Sequence, residues 1–201
     1  MDFEIDYNKV LAQDFYLQDT ELVARKLIGK VLVREIEGNI LCGEIVETEA
    51  YIPFGDAANH SARGKTIRNA AMHEDGGILY VYKIYGVHHC INVVTEESGL
   101  GSAVLIRAIR PIKGIEYMQA QRGNSELIAL CNGPGKLALA FSFNKDDNYA
   151  DITQPKLFIQ TNKDYSNDDI INTTRIGIKI AAELNLRYYL KGCKYVSRYK
   201  K

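Results

Sequence analysis

Residues 30–51 decide the fold, and they read in three pieces. Lys30-Val31-Leu32-Val33-Arg34-Glu35-Ile36 alternates in the manner of a strand rich in β-branched residues. Glu37-Gly38-Asn39 supplies a turn. Ile40-Leu41-Cys42-Gly43-Glu44-Ile45-Val46-Glu47-Thr48-Glu49 then resumes the alternation, and Ala50-Tyr51 leads out of it. Two alternating runs around a short glycine-containing turn predict an antiparallel hairpin.

Working outward, residues 21–28 have helical apolar spacing and stop at Gly29. Residues 51–77 mix Pro, Gly, Asp, Asn and His with few apolar side chains. That stretch exceeds ordinary connector length, and long ordered loops commonly carry function. A strand is predicted at 78–85, broken by Gly86, with a second at 87–94. After the turn Ser98-Gly99-Leu100-Gly101, a third is predicted at 103–110, ended by Pro111. A helix is expected at 114–122, and a short one at 136–141, opened by Gly133-Pro134-Gly135. Residues 164–172 read as a surface loop, and strand-like pieces occur near 156–160 and 187–190. Strands in runs joined by turns, with helices between the runs, predict an α+β fold. The expectation is a single domain over residues 1–201: a curved antiparallel sheet, flanking helices and a protruding β-hairpin. Residues 1–20 are left without an assigned packing.

The chain has 201 residues, 46% of them hydrophobic and 25% charged, as ordinary globular domains do. No apolar run approaches the roughly 18–20 residues of a membrane helix. The acidic start, Met1-Asp2-Phe3-Glu4-Ile5-Asp6, does not read as a signal peptide, so a cytoplasmic location without membrane association is expected. The four scattered cysteines lack a C-x-x-C pair, so neither a disulfide nor a zinc site is expected. Lys plus Arg and Asp plus Glu number 25 each, a balance that by itself argues against nucleic acid. The layout is uneven, however: residues 187–201 hold six Lys or Arg and no acid.

Glu47 and Glu49 lie two apart on a strand and therefore share a face. A like-charge pair there is either a solvated strand end or has a task, one glutamate serving as general base at a pocket mouth. Spacing alone does not choose. Tyr80 and Tyr82 share a face of the next hairpin, while Tyr85 precedes the breaking Gly86. A tyrosine at a hairpin tip needs a partner, and a DNA base stack is one. His88 and His89 face opposite ways on a strand and are not read as metal ligands. Gly133-Pro134-Gly135-Lys136 is not the phosphate loop of a nucleotide-binding protein, but Lys136 beside backbone amides suits a single DNA phosphate.

Taken in order, these segments make the chain resemble the alkyladenine (3-methyladenine) DNA glycosylase family. The resemblance is carried by Ala24-Arg25-x-Leu27-x-Gly29-Lys30, Ile45-Val46-Glu47-Thr48-Glu49-Ala50-Tyr51, Asp56-x-Ala58-x-His60-Ser61 and Thr66-x-Arg68-Asn69. Leu79-Tyr80-Val81-Tyr82-x-Ile84-Tyr85-Gly86, Cys90-x-Asn92, Val104-Leu105-Ile106-Arg107-Ala108, Gly133-Pro134-x-Lys136-Leu137 and Arg175-Ile176-Gly177 continue it. It implies a monofunctional enzyme that flips a damaged purine out of duplex DNA and hydrolyses its glycosidic bond, with no cofactor and no lyase step. Glu49 is implied as the base and Arg107 as the group that helps hold the water. Tyr51, His60, Tyr82, Asn92 and Leu105 are implied as the base pocket, and Tyr85 as the wedge. Thr66, Arg68, His88 and Lys136 are implied as DNA contacts. The expected partner is double-stranded DNA carrying 3-methyladenine, 7-methylguanine, hypoxanthine or ethenoadenine, bound by a monomer. Two other readings are a non-catalytic sensor of distorted DNA and an unrelated hydrolase using Glu47 and Glu49. A binder has no use for a base at Glu49, and the hydrolase does not explain Tyr85 before Gly86.

Overall fold

The computed structural model describes residues 3–84 and 86–197. Helices α1 (Gln13–Tyr16) and α2 (Thr20–Lys26) precede strands β1 (Val31–Ile36) and β2 (Asn39–Tyr51). Strands β3 (Leu79–Ile84), β4 (His88–Thr95) and β5 (Ser102–Lys113) follow, then helices α3 (Ile115–Arg122) and α4 (Pro134–Ala140). The chain closes with β6 (Thr153–Gln154), β7 (Leu157–Gln160), β8 (Ile170–Thr173) and β9 (Arg187–Leu190). Among the described residues the strands form one antiparallel sheet, ordered β3-β4-β5-β2-β1-β7-β6, with β9 paired to β2 and β8 to β9. The architecture is α+β, as the alternation of residues 30–51 predicts.

The β1–β2 hairpin turns on Glu37 (φ 50°) and Gly38 (φ 75°), between the paired ends Ile36 and Asn39. Two left-handed residues twist the turn in the same sense as its strands, which sets the register. Helix α2 is capped by Asp19, whose carboxylate accepts the Leu22 N–H, and it buries Val23 and Ala24. That helix, with Met118 of α3 and Leu137 and Ala138 of α4, covers one face of the sheet over Leu32, Leu41, Ile45, Ile91 and Ile106. On the opposite face the covering is irregular chain. Phe3, Ile5 and Val10 pack on Val31, Val33 and Phe158, while Ala71 and Met72 pack on Tyr80, Val94 and Ala103. The N-terminal segment is thereby fixed to the sheet, and Val10 bridges to Gln160.

Two expectations about elements need correction. Strand β5 does not stop at Pro111; it runs on to Lys113, with Pro111 opposite Gly43. Proline is tolerated because β4 has left β5 by then, since their pairing covers only residues 102–105 of β5, and a register shift falls at Cys42 and Gly43. The polar run 164–172 is not all loop: β8 begins at Ile170 and pairs with β9. The long stretch after β2 holds a turn of 3₁₀ helix at Ala70–His73. The β3–β4 hairpin protrudes as expected. Its pairing extends from Leu79 opposite Val93 out to Ile84 opposite His88, whereas β4 meets β5 only from Asn92 inward.

Candidate active site

The register lines up one row of side chains across the helix-free face of the sheet. Tyr80 stands opposite Asn92, Asn92 opposite Leu105, Leu105 opposite Glu49, and Glu49 opposite Arg187. Directly paired residues project to the same side, and so do residues two apart on a strand. Tyr82 therefore joins Tyr80, and Tyr51 joins Glu49. Between Glu47 and Thr48 the β2–β5 register shifts, so that Ala108 and Ile106 face consecutive β2 residues and Arg107 has no partner of its own. A bulge of this kind re-aims a side chain, and here the side chain is Arg107.

Arg107 joins the two glutamates. Its Nε lies 3.1 Å from Glu47 Oε1 and its Nη1 lies 3.1 Å from Glu49 Oε2. Both carboxylates are fully buried. Burial works against the Arg107 charge, but the Glu49 and Glu47 carboxylates more than offset it and hold its pKa above the ordinary value. Glu47 also accepts from Arg187 Nε at 2.6 Å, and from the Ser197 hydroxyl and backbone N–H at 2.7 and 2.6 Å. Glu49 accepts from the Tyr51 hydroxyl at 3.1 Å and from the Ile176 backbone N–H at 2.8 Å. Burial, reinforced by the Glu49 charge, pushes the Tyr51 hydroxyl well above the usual range, so it stays a donor.

Beside this pair is a cavity of about 250 Å³, walled by Tyr51, His60, Tyr80, Tyr82 and Asn92, with Ala58, Arg68, Met72, Ile84 and Ile178 completing it. Tyr80 and Tyr82 stack with centroids 5.4 Å apart, and His60 meets Tyr82 edge-on at 4.7 Å. His60 Nδ1 and the Tyr80 hydroxyl are hydrogen-bonded at 2.9 Å. Burial of the Tyr80 ring raises its hydroxyl pKa to about 12, so it too keeps its proton. Packing of the His60 ring, together with the nearby Arg68 charge, pushes its pKa down and favours the neutral imidazole. Asn92 Nδ2 donates to the Tyr80 carbonyl at 3.0 Å, which fixes its amide.

Of the residues singled out from sequence, Glu49, Arg107, Tyr51, His60, Tyr82 and Asn92 converge. Leu105 lies in the same row, between Glu49 and Asn92, but is not part of the cavity wall. Arg68, expected toward DNA, has its guanidinium 5.6 Å from the Tyr82 ring centroid and lines the cavity. Thr66 sits in an exposed turn, with its N–H and hydroxyl donating to buried Asn69 Oδ1 at 2.6 and 3.0 Å. His88 is exposed and lies against Gly135, while Lys136 is exposed and donates to Asn132 at 2.7 Å. Tyr85 and the last basic residues, Arg198, Lys200 and Lys201, lie outside the described residues. Sequence reasoning missed Tyr80 as a wall residue, although its spacing from Tyr82 places the two on one face. It also missed Ile176, whose contribution is a backbone N–H and leaves no side-chain signature, and the buried pair Asp56–Arg175. No helix among the described residues is long and apolar enough to cross a membrane.

Comparison with known proteins adds to this geometry. The family model described as "Methylpurine-DNA glycosylase (MPG)" matches residues 14–194. A relative from Methanoculleus marisnigri is 46% identical over 187 residues, 92% of this chain and 96% of the relative. Relatives from Clostridium botulinum (202 residues) and Carboxydothermus hydrogenoformans (190 residues) are each 44% identical, covering 94% of this chain and 99% of themselves. All three carry the name "Putative 3-methyladenine DNA glycosylase". These matches define the class of protein: a DNA repair enzyme, a DNA glycosylase for alkylated purines. More particularly, the chain belongs to the methylpurine-DNA glycosylase family.

Proposed function

We propose that this protein is a monofunctional hydrolase that releases 3-methyladenine and related damaged purines from duplex DNA, with Glu49 as the base that activates water. The observation that carries this reading is the bonding of Glu49. A carboxylate has about four lone-pair positions; the Tyr51 hydroxyl and the Ile176 N–H donate to Glu49, and Arg107 Nη1 forms an ion pair with its Oε2 at 3.1 Å. Oε1, which accepts only the Ile176 N–H, has room for a water directed at the sugar C1′ of a nucleotide whose base lies in the cavity.

The damaged nucleotide rotates out of the helix, at a cost of a few kcal/mol of stacking. Its purine enters between Tyr51, His60 and Tyr82. A cationic alkylpurine gains ~0.5–2 kcal/mol over a tyrosine face, which undamaged bases do not, and a neutral His60 adds no repulsion. The expected wedge is Tyr85, and Thr66, Arg68, His88 and Lys136 are the expected DNA contacts. Asn92 disfavours normal guanine by crowding its exocyclic amine. Water oxygen bonds to C1′ of the sugar while the C1′–N bond breaks and its electron pair leaves with the purine. The water proton passes to Glu49. An alkylpurine cation departs as a neutral base, so no strong acid is needed on the purine. The product is an abasic site. No lysine is among the cavity-wall residues, which supports hydrolysis rather than a Schiff-base lyase step. The same reading takes 7-methylguanine, hypoxanthine and ethenoadenine as further candidate substrates, and the protein as a monomer.

Release of 3-methyladenine from alkylated duplex DNA by wild type and by Glu49→Gln tests the proposal. Wild type should release the base, and Glu49→Gln should be slower by about 100-fold or more, the range lost when a general base is removed. No release by wild type would sink the function, and full activity of Glu49→Gln would sink the role of Glu49.

A further inference from the structure

We propose that the buried Arg175–Asp56 pair is the positioning device that holds the Ile176 N–H on the Glu49 carboxylate. The proposal rests on Glu49 being the base. Arg175 Nη1 and Nη2 each lie 2.6 Å from one oxygen of Asp56, and neither side chain has any exposed surface. Arg175 Nη1 also donates to the Ala50 carbonyl at 3.0 Å, and the guanidinium carbon stands 4.7 Å from the Tyr51 ring centroid. One residue further along the chain, the Ile176 N–H reaches Glu49 Oε1 at 2.8 Å. Besides Asp56, the anchors of this guanidinium are the next neighbour of Glu49 in β2, Ala50, and the cavity-wall residue Tyr51.

The local backbone explains why such an anchor is needed. Asp56 lies in the irregular chain after β2, and Arg175 in the irregular chain between β8 and β9. Neither stretch has a strand ladder to hold it. Asp56 is fixed in turn by the Ala58 N–H, which donates to Oδ1 at 3.1 Å. The planar guanidinium fork meets a carboxylate in one geometry only, so two bonds to Asp56 and one to Ala50 set both the position and the orientation of residue 175. The amide of residue 176 follows rigidly, and Ile178, two residues on, forms part of the cavity wall. A buried ion pair contributes little net stability for the desolvation it costs, but it does confer a fixed geometry, and geometry is what a base and its water require. An ammonium cannot reproduce the fork, so Arg175→Lys is as informative as loss of the partner in Asp56→Asn.

The test uses these two variants, with two readouts. Amide hydrogen exchange at Ile176 should accelerate ten-fold or more in both, while Val104 and Ile106 in β5 keep their protection and report an intact fold. The single-turnover rate of base release, which does not depend on the folded fraction, should fall ten-fold or more. Affinity for duplex DNA containing an abasic-site analogue should stay within two-fold of wild type. Unchanged exchange at Ile176 would overturn the proposal, as would an unchanged single-turnover rate. A loss of rate and DNA affinity together, with the β5 amides also deprotected, would assign the pair a merely structural role and overturn it too. If wild type releases no base, the catalytic reading fails, while the exchange measurement still decides whether the pair holds Ile176 in place.

Discussion

A buried carboxylate has about four lone pairs, and each one lacking a donor costs free energy. Glu47 Oε1 accepts from Arg107, Arg187 and the Ser197 hydroxyl and its Oε2 from the Ser197 N–H, and none of these donors lines the cavity. Glu49 accepts from the Tyr51 hydroxyl and the Ile176 N–H and is ion-paired with Arg107. Two residues of one type, two positions apart on one strand, thus differ in their partners: Glu49 is bonded to the cavity-wall residue Tyr51, and Glu47 is not. Glu47 locks Arg107 in place, and Arg107 in turn presents Nη1 to Glu49. His60 carries a prediction at the same scale. Its folded-state pKa lies below the ordinary histidine value, first through desolvation of the ring where it packs on Tyr80 and Tyr82 and then through Arg68, and because the residue is largely exposed the effect on stability is small. The folded protein therefore prefers the neutral ring, and there is no penalty above the unfolded value of about 6.5. As pH falls through 6.5 toward the lowered folded value, the unfolded chain takes up the proton first and stability is lost. Melting curves at pH 7 and pH 5 should show a larger fall for wild type than for His60→Gln. Equal falls would mean that His60 does not titrate as its surroundings dictate.

At the scale of elements, the site depends on how β2 is flanked. β1 pairs with its first half, β5 runs along almost all of it, and β9 covers residues 47–49 from the other side. Glu49 is thus held in the interior of a sheet rather than at a frayed end, which is why its carboxylate is buried. The long loop after β2 is latched to this frame by Asn59, whose Nδ2 donates to the carbonyls of Ile52 and Gly101 at 2.8 and 3.0 Å. Asn59→Ala leaves two carbonyls unpaired in the interior, and a loss of about 1–3 kcal/mol is expected on urea unfolding. Because His60 is the next residue, affinity for DNA holding a damaged purine should fall as well. Full stability in urea would mean that the loop is held elsewhere. Much of this frame was legible in the sequence, because strands β1 to β5 alternate and their turns carry glycine. The run of β5 through Pro111 was not, because a proline in a strand is acceptable only where the neighbouring strand has diverged, and divergence is a property of three strands together. Strand β8 was hidden for a related reason: a four-residue strand at the end of a polar run gains its order from pairing with β9. In the site, spacing placed Glu47 and Glu49 on one face and went no further; the resemblance supplied the choice of Glu49. The Arg175–Asp56 pair joins residues 119 apart in sequence, a separation at which a single chain offers no local periodicity to read.

Over the whole molecule the charges cancel, 25 basic against 25 acidic residues, and yet the substrate is a polyanion. The balance is met by layout rather than by excess. Arg63, Lys65 and Arg68 are exposed on the loop that forms the cavity wall, Lys83 is exposed on the β3–β4 hairpin, and Lys136 is exposed next to Gly135, which lies against His88 at the hairpin's outer end. Acidic side chains concentrate near the N-terminus, and Lys9 there is already paired with Asp6 at 3.3 Å. A local cationic rim on a neutral protein has a measurable consequence. Each phosphate neutralised by a lysine or arginine releases counterions, so the logarithm of the binding constant falls against the logarithm of salt concentration by about 0.9 per contact. A neutral protein lacks the long-range attraction of a basic one, and its salt slope should report direct contacts closely. Arg68→Ala and Lys136→Ala should each weaken binding to duplex DNA about equally for every flanking sequence, and each should make the slope shallower by about 1. Lys9→Ala, at the far side of the sheet beside β7, should leave it unchanged. Titrations of a fluorescent duplex at four or five salt concentrations distinguish the cases. A slope that responds to Lys9 but not to Arg68 or Lys136 would place the DNA on the other edge of the sheet, and with it the direction from which a base reaches Glu49.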